Sequence, residues 1–257
     1  MRTLRCLLPL LVLLAACASS GRGLRVAGST SVQPLAEILA EAYTRSGGGR
    51  VSIQGGGSTA GVQAVLHGVA GLGAVSRRLA PEESAQGLVA HTIGYDLLTV
   101  VVHPTNPLAA ISRARLGRLF SGVAADWRDV GGPPGPVYLV SREAGSGSRE
   151  AFRSLVGPVS PRALIQSSAG AIRVAVMANP QAIGYVSLPV ARMGGLKALA
   201  VDGRRPDEPG YPLVRPVSFV TLGPPQGEAA AFLRFVASPA GRELIREEGL
   251  VPAGDGP

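Results

Sequence analysis

Lysine is almost missing from this chain of 257 residues, Lys197 being the only one. A nucleotide-cradling loop places a Lys directly after its glycines, so that common class of nucleotide hydrolase is excluded. Aromatic residues make up only 4%, too few for the stacking platforms that hold single-stranded nucleic acid. Cysteine is limited to Cys6 and Cys17. A processed chain that begins at Cys17 has neither a disulfide nor a Cys metal site. His67, His91 and His103 lie in unrelated contexts without metal-ligand spacing, so no metal is expected. Ser146 lies in Gly145-Ser-Gly-Ser, which is not the strained elbow of a serine hydrolase. No paired-carboxylate motif stands out. No catalytic residue and no cofactor are therefore expected, and the chain reads as a binder rather than an enzyme. Beyond the N-terminus, no apolar run is long enough to cross a bilayer as a helix.

Hydrophobic residues are 46% and charged residues 16%, a balance that supports a real core. Glycine (35) and proline (21) are abundant, which predicts many turns and sites built from backbone. The formal net charge is +8, carried almost wholly by arginine, with no basic run longer than Arg77-Arg78 or Arg204-Arg205. Nucleic-acid binding needs a patch, so no nucleic-acid partner is expected. A small anion suits a positive, glycine-rich surface better.

The N-terminus reads as an address. Arg2 and Arg5 precede a short apolar run from Leu7 to Leu14, then Ala15, Ala16 and Cys17. That layout is a secretory signal, and Leu14-Ala15-Ala16-Cys17 resembles a bacterial lipobox. Residues 1–16 are expected to be removed, Cys17 to carry lipid, and residues 17–23 to form a flexible tether. Loss of Arg2 and Arg5 takes the formal charge from +8 to +6. Membrane attachment would be by acyl chains alone.

Along the rest of the chain, short β-branched runs alternate with helical periodicity. Strands are predicted at 24–27, 50–54, 71–75, 97–102, 136–140, 182–188 and 214–220. Helices are predicted from Pro34, after Ser58, from Pro81, over 112–120, through Phe152, and over 228–236 and 239–248. The alternation predicts an α/β fold with parallel strands, whose ligands sit at the carboxyl ends of the strands. Four polar segments follow strands: Gly28-Ser29-Thr30-Ser31, Gly57-Ser58-Thr59, Ser76-Arg77 and Arg142 through Ser148. Glycine turns expose N–H groups, helix N-termini add free donors, and Ser and Thr add hydroxyls. Arg142 adds a permanently charged fork for two oxygens. Taken singly, each such serine is more simply a helix cap. Four in succession suggest one ring of donors for an anion.

The segments GSTSVQPL (28–35), GGGSTAGVQA (55–64), SRRL (76–79), REAGSGSREAF (142–152), NPQAIGYVSL (179–188) and YPLVRPVSFVT (211–221) resemble PstS-type phosphate-binding proteins of ABC importers. The likeness continues through the tail at 230–252 and is closest to the shorter bacterial members. It implies a periplasmic-binding-protein type II-like fold: two α/β lobes joined by crossover strands, with the ligand in the cleft. One lobe would hold residues 24–97 and 214–257, the other residues 98–213.

Carried onto matching positions, the resemblance implies that Thr30, the backbone of Ser31, and Ser58 bind inorganic phosphate from one lobe, with Ser29, Ser76 and Arg77 as further candidates there. Arg142, Ser146, the Gly147 N–H and Ser148 would bind from the other, with closure as a hinge motion. The implied partners are phosphate, the importer's membrane permease, and a membrane reached through the N-terminal lipid; the protein is expected to be a monomer. Larger relatives carry an Asp at the position of Ser76, accepting the proton of phosphate and repelling sulfate. Ser76 accepts a hydrogen bond without that repulsion. Sulfate or molybdate binding, a sensory role, and an exported phosphate-ester enzyme are the alternative readings.

Overall fold

A computed structural model describes residues 23–256. The signal-like segment 1–16, Cys17 and most of the proposed tether lie outside the described residues. In chain order, β1 (Leu24–Gly28), α1 (Gln33–Arg45), β2 (Val51–Gly55), α2 (Ser58–Leu66) and β3 (Leu72–Val75) form a β-α-β-α-β unit. The short α3 (Pro81–Ala85) leads into β4 (Leu88–Val102). Next come β5 (Ala110–Ile111), α4 (Arg113–Ser121), β6 (Tyr138–Arg142), α5 (Gly147–Leu155), β7 (Leu164–Gln166), α6 (Ala169–Met177), β8 (Ala182–Ser187), α7 (Leu188–Arg192), β9 (Lys197–Ala198) and β10 (Ala200–Val201). The chain returns through β11 (Val214–Leu222) and closes with α8 (Gly227–Ala237), α9 (Pro239–Glu247) and β12 (Val251–Pro252).

β1 pairs in parallel with β2 and β3, Val26 lying opposite both Ile53 and Leu72. Two glycines permit this tight unit. A Cβ on Gly28, whose φ is +143°, would clash with the Ala74 carbonyl oxygen, and one on Gly61 would lie 2.6 Å from the Ala27 oxygen. Gly61 thus lets α2 lie directly on β1. In the second half of the fold, β8, β6 and β7 are also parallel neighbours.

The expected parallel pairing holds within each half, and the strands that join the halves run against it. β11 is antiparallel to both β3 and β4. β4 changes partner along its length: Leu88 to Leu97 pair with β11, whereas Leu98 to Val102 pair with β8. The chain must cross between the halves twice, and these two strands run in opposite directions as it does so. Residues 88–96, outside the predicted strands, join β4 because β11 pairs along one edge and β12 along the other.

Each half has its own core. Leu35, Leu39, Leu72, Phe219 and Phe232 pack in one. Leu98, Leu116, Phe120, Trp127, Phe152 and Tyr185 pack in the other, where Phe152 stacks on Tyr185 with ring centroids 4.1 Å apart. Full burial of such a side chain contributes about 1.5–3 kcal/mol, so both halves are stably built and can hold the loops between them.

Candidate functional site

The parallel arrangement carries the ends of β1, β2 and β3 to one edge, so the loops after them meet. Ser29 and Ser76 share a hydroxyl–hydroxyl hydrogen bond of 2.9 Å. Ser58 Oγ accepts the Ser76 N–H at 3.1 Å and lies 3.4 Å from Ser76 Oγ. The loop after β6 arrives from the opposite half. Ser31 Oγ meets Ser148 Oγ at 3.0 Å, and the Thr59 N–H donates to the Gly145 carbonyl at 3.1 Å. Gly147 sits against the serines. A Cβ there would clash with Ser58 Oγ and lie 2.7 Å from Ser76 Oγ. Glycine is required at 147 by space. Ser29, Ser31, Ser58, Ser76, Gly147 and Ser148 therefore converge on one point, and Ser58 and Ser76 have no exposed surface.

The hydrogen bonds have a direction. Ser29 Oγ accepts the Ser31 N–H at 3.3 Å, and Ser146 Oγ accepts the Arg149 N–H at 3.4 Å. The simple capping role is thus realised at Ser146, the N-cap of α5, whereas Ser29 closes a turn ahead of α1, which has no side-chain cap. Neither role removes these hydroxyls as donors: each accepts through a lone pair and keeps its proton. Thr30 Oγ1 is buried with no partner among the described residues, and such a group is costly unless something is there to accept its proton. The cluster is a concentration of donors, a chemistry suited to an oxyanion.

Arg142 is 2% exposed at the end of β6. Its Nε and Nη2 each donate to Glu143 at 2.8 Å, and Nη2 also reaches the Ser167 carbonyl at 3.4 Å. The carboxylate takes one edge of the guanidinium and fixes its plane, which leaves Nη1 as the group to serve a ligand.

Arg77 is placed differently from the expectation that it faces an anion. Nη1 and Nη2 donate to the two oxygens of Glu83, each at 2.7 Å, and Nε lies 2.5 Å from Glu150 Oε2 on α5. Nε is not aligned for a hydrogen bond, so that last contact is one of charge. The hydrogen-bonded Glu83 raises the pKa of Arg77, and Arg77 in turn lowers that of Glu83. A guanidinium committed to two carboxylates has no edge left for a ligand. Its reach from the loop after β3 to α5 makes it a tie between the halves.

Two site neighbours escaped the sequence reading. Arg215 and Asp96, each 1% exposed, form a buried pair with Oδ2 at 2.9 Å from Nε and 2.6 Å from Nη2. Arg215 Nη1 donates to Ser148 Oγ at 2.6 Å. The available signal was a charge next to one apolar strand sequence, Asp96 before Leu97, and a charge inside another, Arg215 within Val214–Val220.

A family model for the PBP superfamily domain matches residues 15–240. The phosphate-binding protein PstS of Bacillus subtilis is 26% identical over 243 residues, covering 90% of this chain and 81% of that protein. A putative phosphate ABC transporter substrate-binding protein from Clostridium perfringens, solved with bound phosphate, is 30% identical with a TM-score of 0.84, covering 90% of this chain and 99% of its own. An ABC-type phosphate transport receptor from Vibrio cholerae is 31% identical with a TM-score of 0.74, covering 89% and 99%.

Proposed function

We propose, for a chain that belongs to the PstS-type phosphate-binding proteins of the PBP superfamily, that its serine-lined cleft captures inorganic phosphate and delivers it to an ABC importer. The observation that carries this reading is the meeting of Ser29, Ser31, Ser58, Ser76 and Ser148 across the cleft, beside the unpartnered Thr30 Oγ1 and the fixed fork of Arg142. Thr30, Ser31, Ser58, Arg142, Ser146, the Gly147 N–H and Ser148 supply the donors. Ser29 and Ser76 complete the hydroxyl network, and Arg77 holds the two halves rather than the ligand. No bond in the ligand is made or broken. Neutral donors replace the water lost by the anion, as they do wherever an anion is bound at glycine turns and helix starts.

The lobes divide as residues 24–97 with 214–257 and residues 98–213, a division supported by the change of partner along β4 at Leu97 and Leu98. The protein acts outside the cytoplasmic membrane, as a monomer, held by lipid on Cys17. Isothermal titration with phosphate, sulfate and molybdate tests the ligand. Phosphate is expected to give saturable one-to-one heat; tight uptake of another oxyanion without phosphate heat would overturn the assignment.

A further inference from the structure

Arg215 and Asp96 are directly opposed residues on β11 and β4. Asp96 uses Oδ2 for two guanidinium nitrogens and Oδ1 for the Leu188 N–H at 3.2 Å. A buried ion pair needs no more than this to be satisfied. Yet Nη1 of Arg215 goes further and donates to Ser148 Oγ at 2.6 Å, at the start of α5, where Ser148 meets Ser31 at 3.0 Å. Taken together, Arg215 and Asp96 carry no net charge, so they attract an anion only weakly. What they export to the cleft is direction.

We infer that Arg215, braced by Asp96, is a positioning residue for phosphate that acts through Ser148. A guanidinium has only donors, so Ser148 must accept from it. The single proton of Ser148 is then turned away from Arg215, toward Ser31 or toward a ligand oxygen. A serine without that neighbour is free to rotate its proton in either sense. Arg215 thereby makes Ser148 a committed donor and builds a one-way chain from the crossover strand, through α5, to the loop after β1. The chain spans both sides of the cleft, so it forms as the cleft closes.

This inference rests on the phosphate reading, and the test keeps the two apart. Phosphate affinity is measured by calorimetry on the full chain for wild type, Ser148→Ala, Arg215→Lys and the double variant, with thermal melts recorded without phosphate. Lysine keeps the charge opposite Asp96 but lacks the planar fork whose separate nitrogens reach Asp96 and Ser148. Each single change is expected to weaken phosphate about tenfold, and the double variant to be no weaker than Ser148→Ala alone, the non-additivity of residues acting as one unit. A role in stability alone would lower the melting temperature and leave the phosphate affinity of Arg215→Lys at the wild-type value. Unchanged affinity in Arg215→Lys, or multiplying losses, overturns the inference while leaving the phosphate reading intact. A wild-type chain without phosphate heat overturns both. Should Arg215→Lys fail to fold, Arg215→Gln with Asp96→Asn replaces the ion pair by neutral amides, and the same cycle with Ser148→Ala is read from it.

Discussion

Space and charge at single positions decide what the cleft accepts. Gly147 approaches Ser58 and Ser76 so closely that even a methyl group would collide with both hydroxyls. Gly147→Ala is expected to weaken phosphate binding roughly tenfold to a hundredfold, an overpacking cost of about 1–3 kcal/mol. The collision arises only where the halves meet, so calorimetry should show the loss and the ligand-free melt should hardly move. Ser76 brings an oxygen without a charge. In Ser76→Asp, a carboxylate would accept a phosphate proton and repel sulfate, which has none to give. The ratio of phosphate to sulfate affinity is expected to rise about tenfold in competition titrations, even if absolute affinity falls. Ser29, Ser58 and Ser148 were legible because glycines and predicted strand ends surround them. Arg215 was not. A lone charge in VRPVSFV points inward only once β4 lies beside it, and no local pattern brings Asp96 to it.

Elements carried by local alternation, such as β1, β2 and β3 with their helices, could be read from the chain because each buries a face within its own unit. β4 could not be read in full. Its first half, with His91, Gly94 and Asp96, has little strand character of its own and is held by pairing with β11, more than a hundred residues later. The tie at Arg77 is hidden on one side only: Glu83 at α3 is a near neighbour in sequence, but Glu150 on α5 belongs to the other half. Glu83 has a pKa below the ordinary carboxylate value because Arg77 hydrogen-bonds its ionised form. A depressed carboxylate adds stability above its unfolded pKa, about 4.3 for Glu, and loses it as the pH falls through the folded value. Glu83→Gln should therefore cost about 1–3 kcal/mol at neutral pH, and urea melts of the two proteins should converge in strong acid. A cost that persisted unchanged in acid would show that packing, rather than the ion pair, is lost.

At the scale of the molecule, two separately cored halves meet at hydroxyls, and the crossing strands β4 and β11 hold them in register. That division makes the cleft the natural place for a small anion and lets binding couple to closure. Among the described residues no helix is long and apolar enough to cross a membrane; the proposed anchor is lipid on Cys17. Cys17→Ser is expected to move the expressed protein from the membrane fraction to the soluble extracytoplasmic fraction; retention in the membrane would assign the anchor elsewhere. The central claim is the seat of the anion, and a crystal structure of the chain grown with phosphate tests it most directly. One phosphate is expected between the halves, with oxygens within hydrogen-bond reach of Thr30, Ser58, Arg142 and Ser148. Phosphate seated away from these residues, or absent from the cleft at saturating concentration, would contradict it.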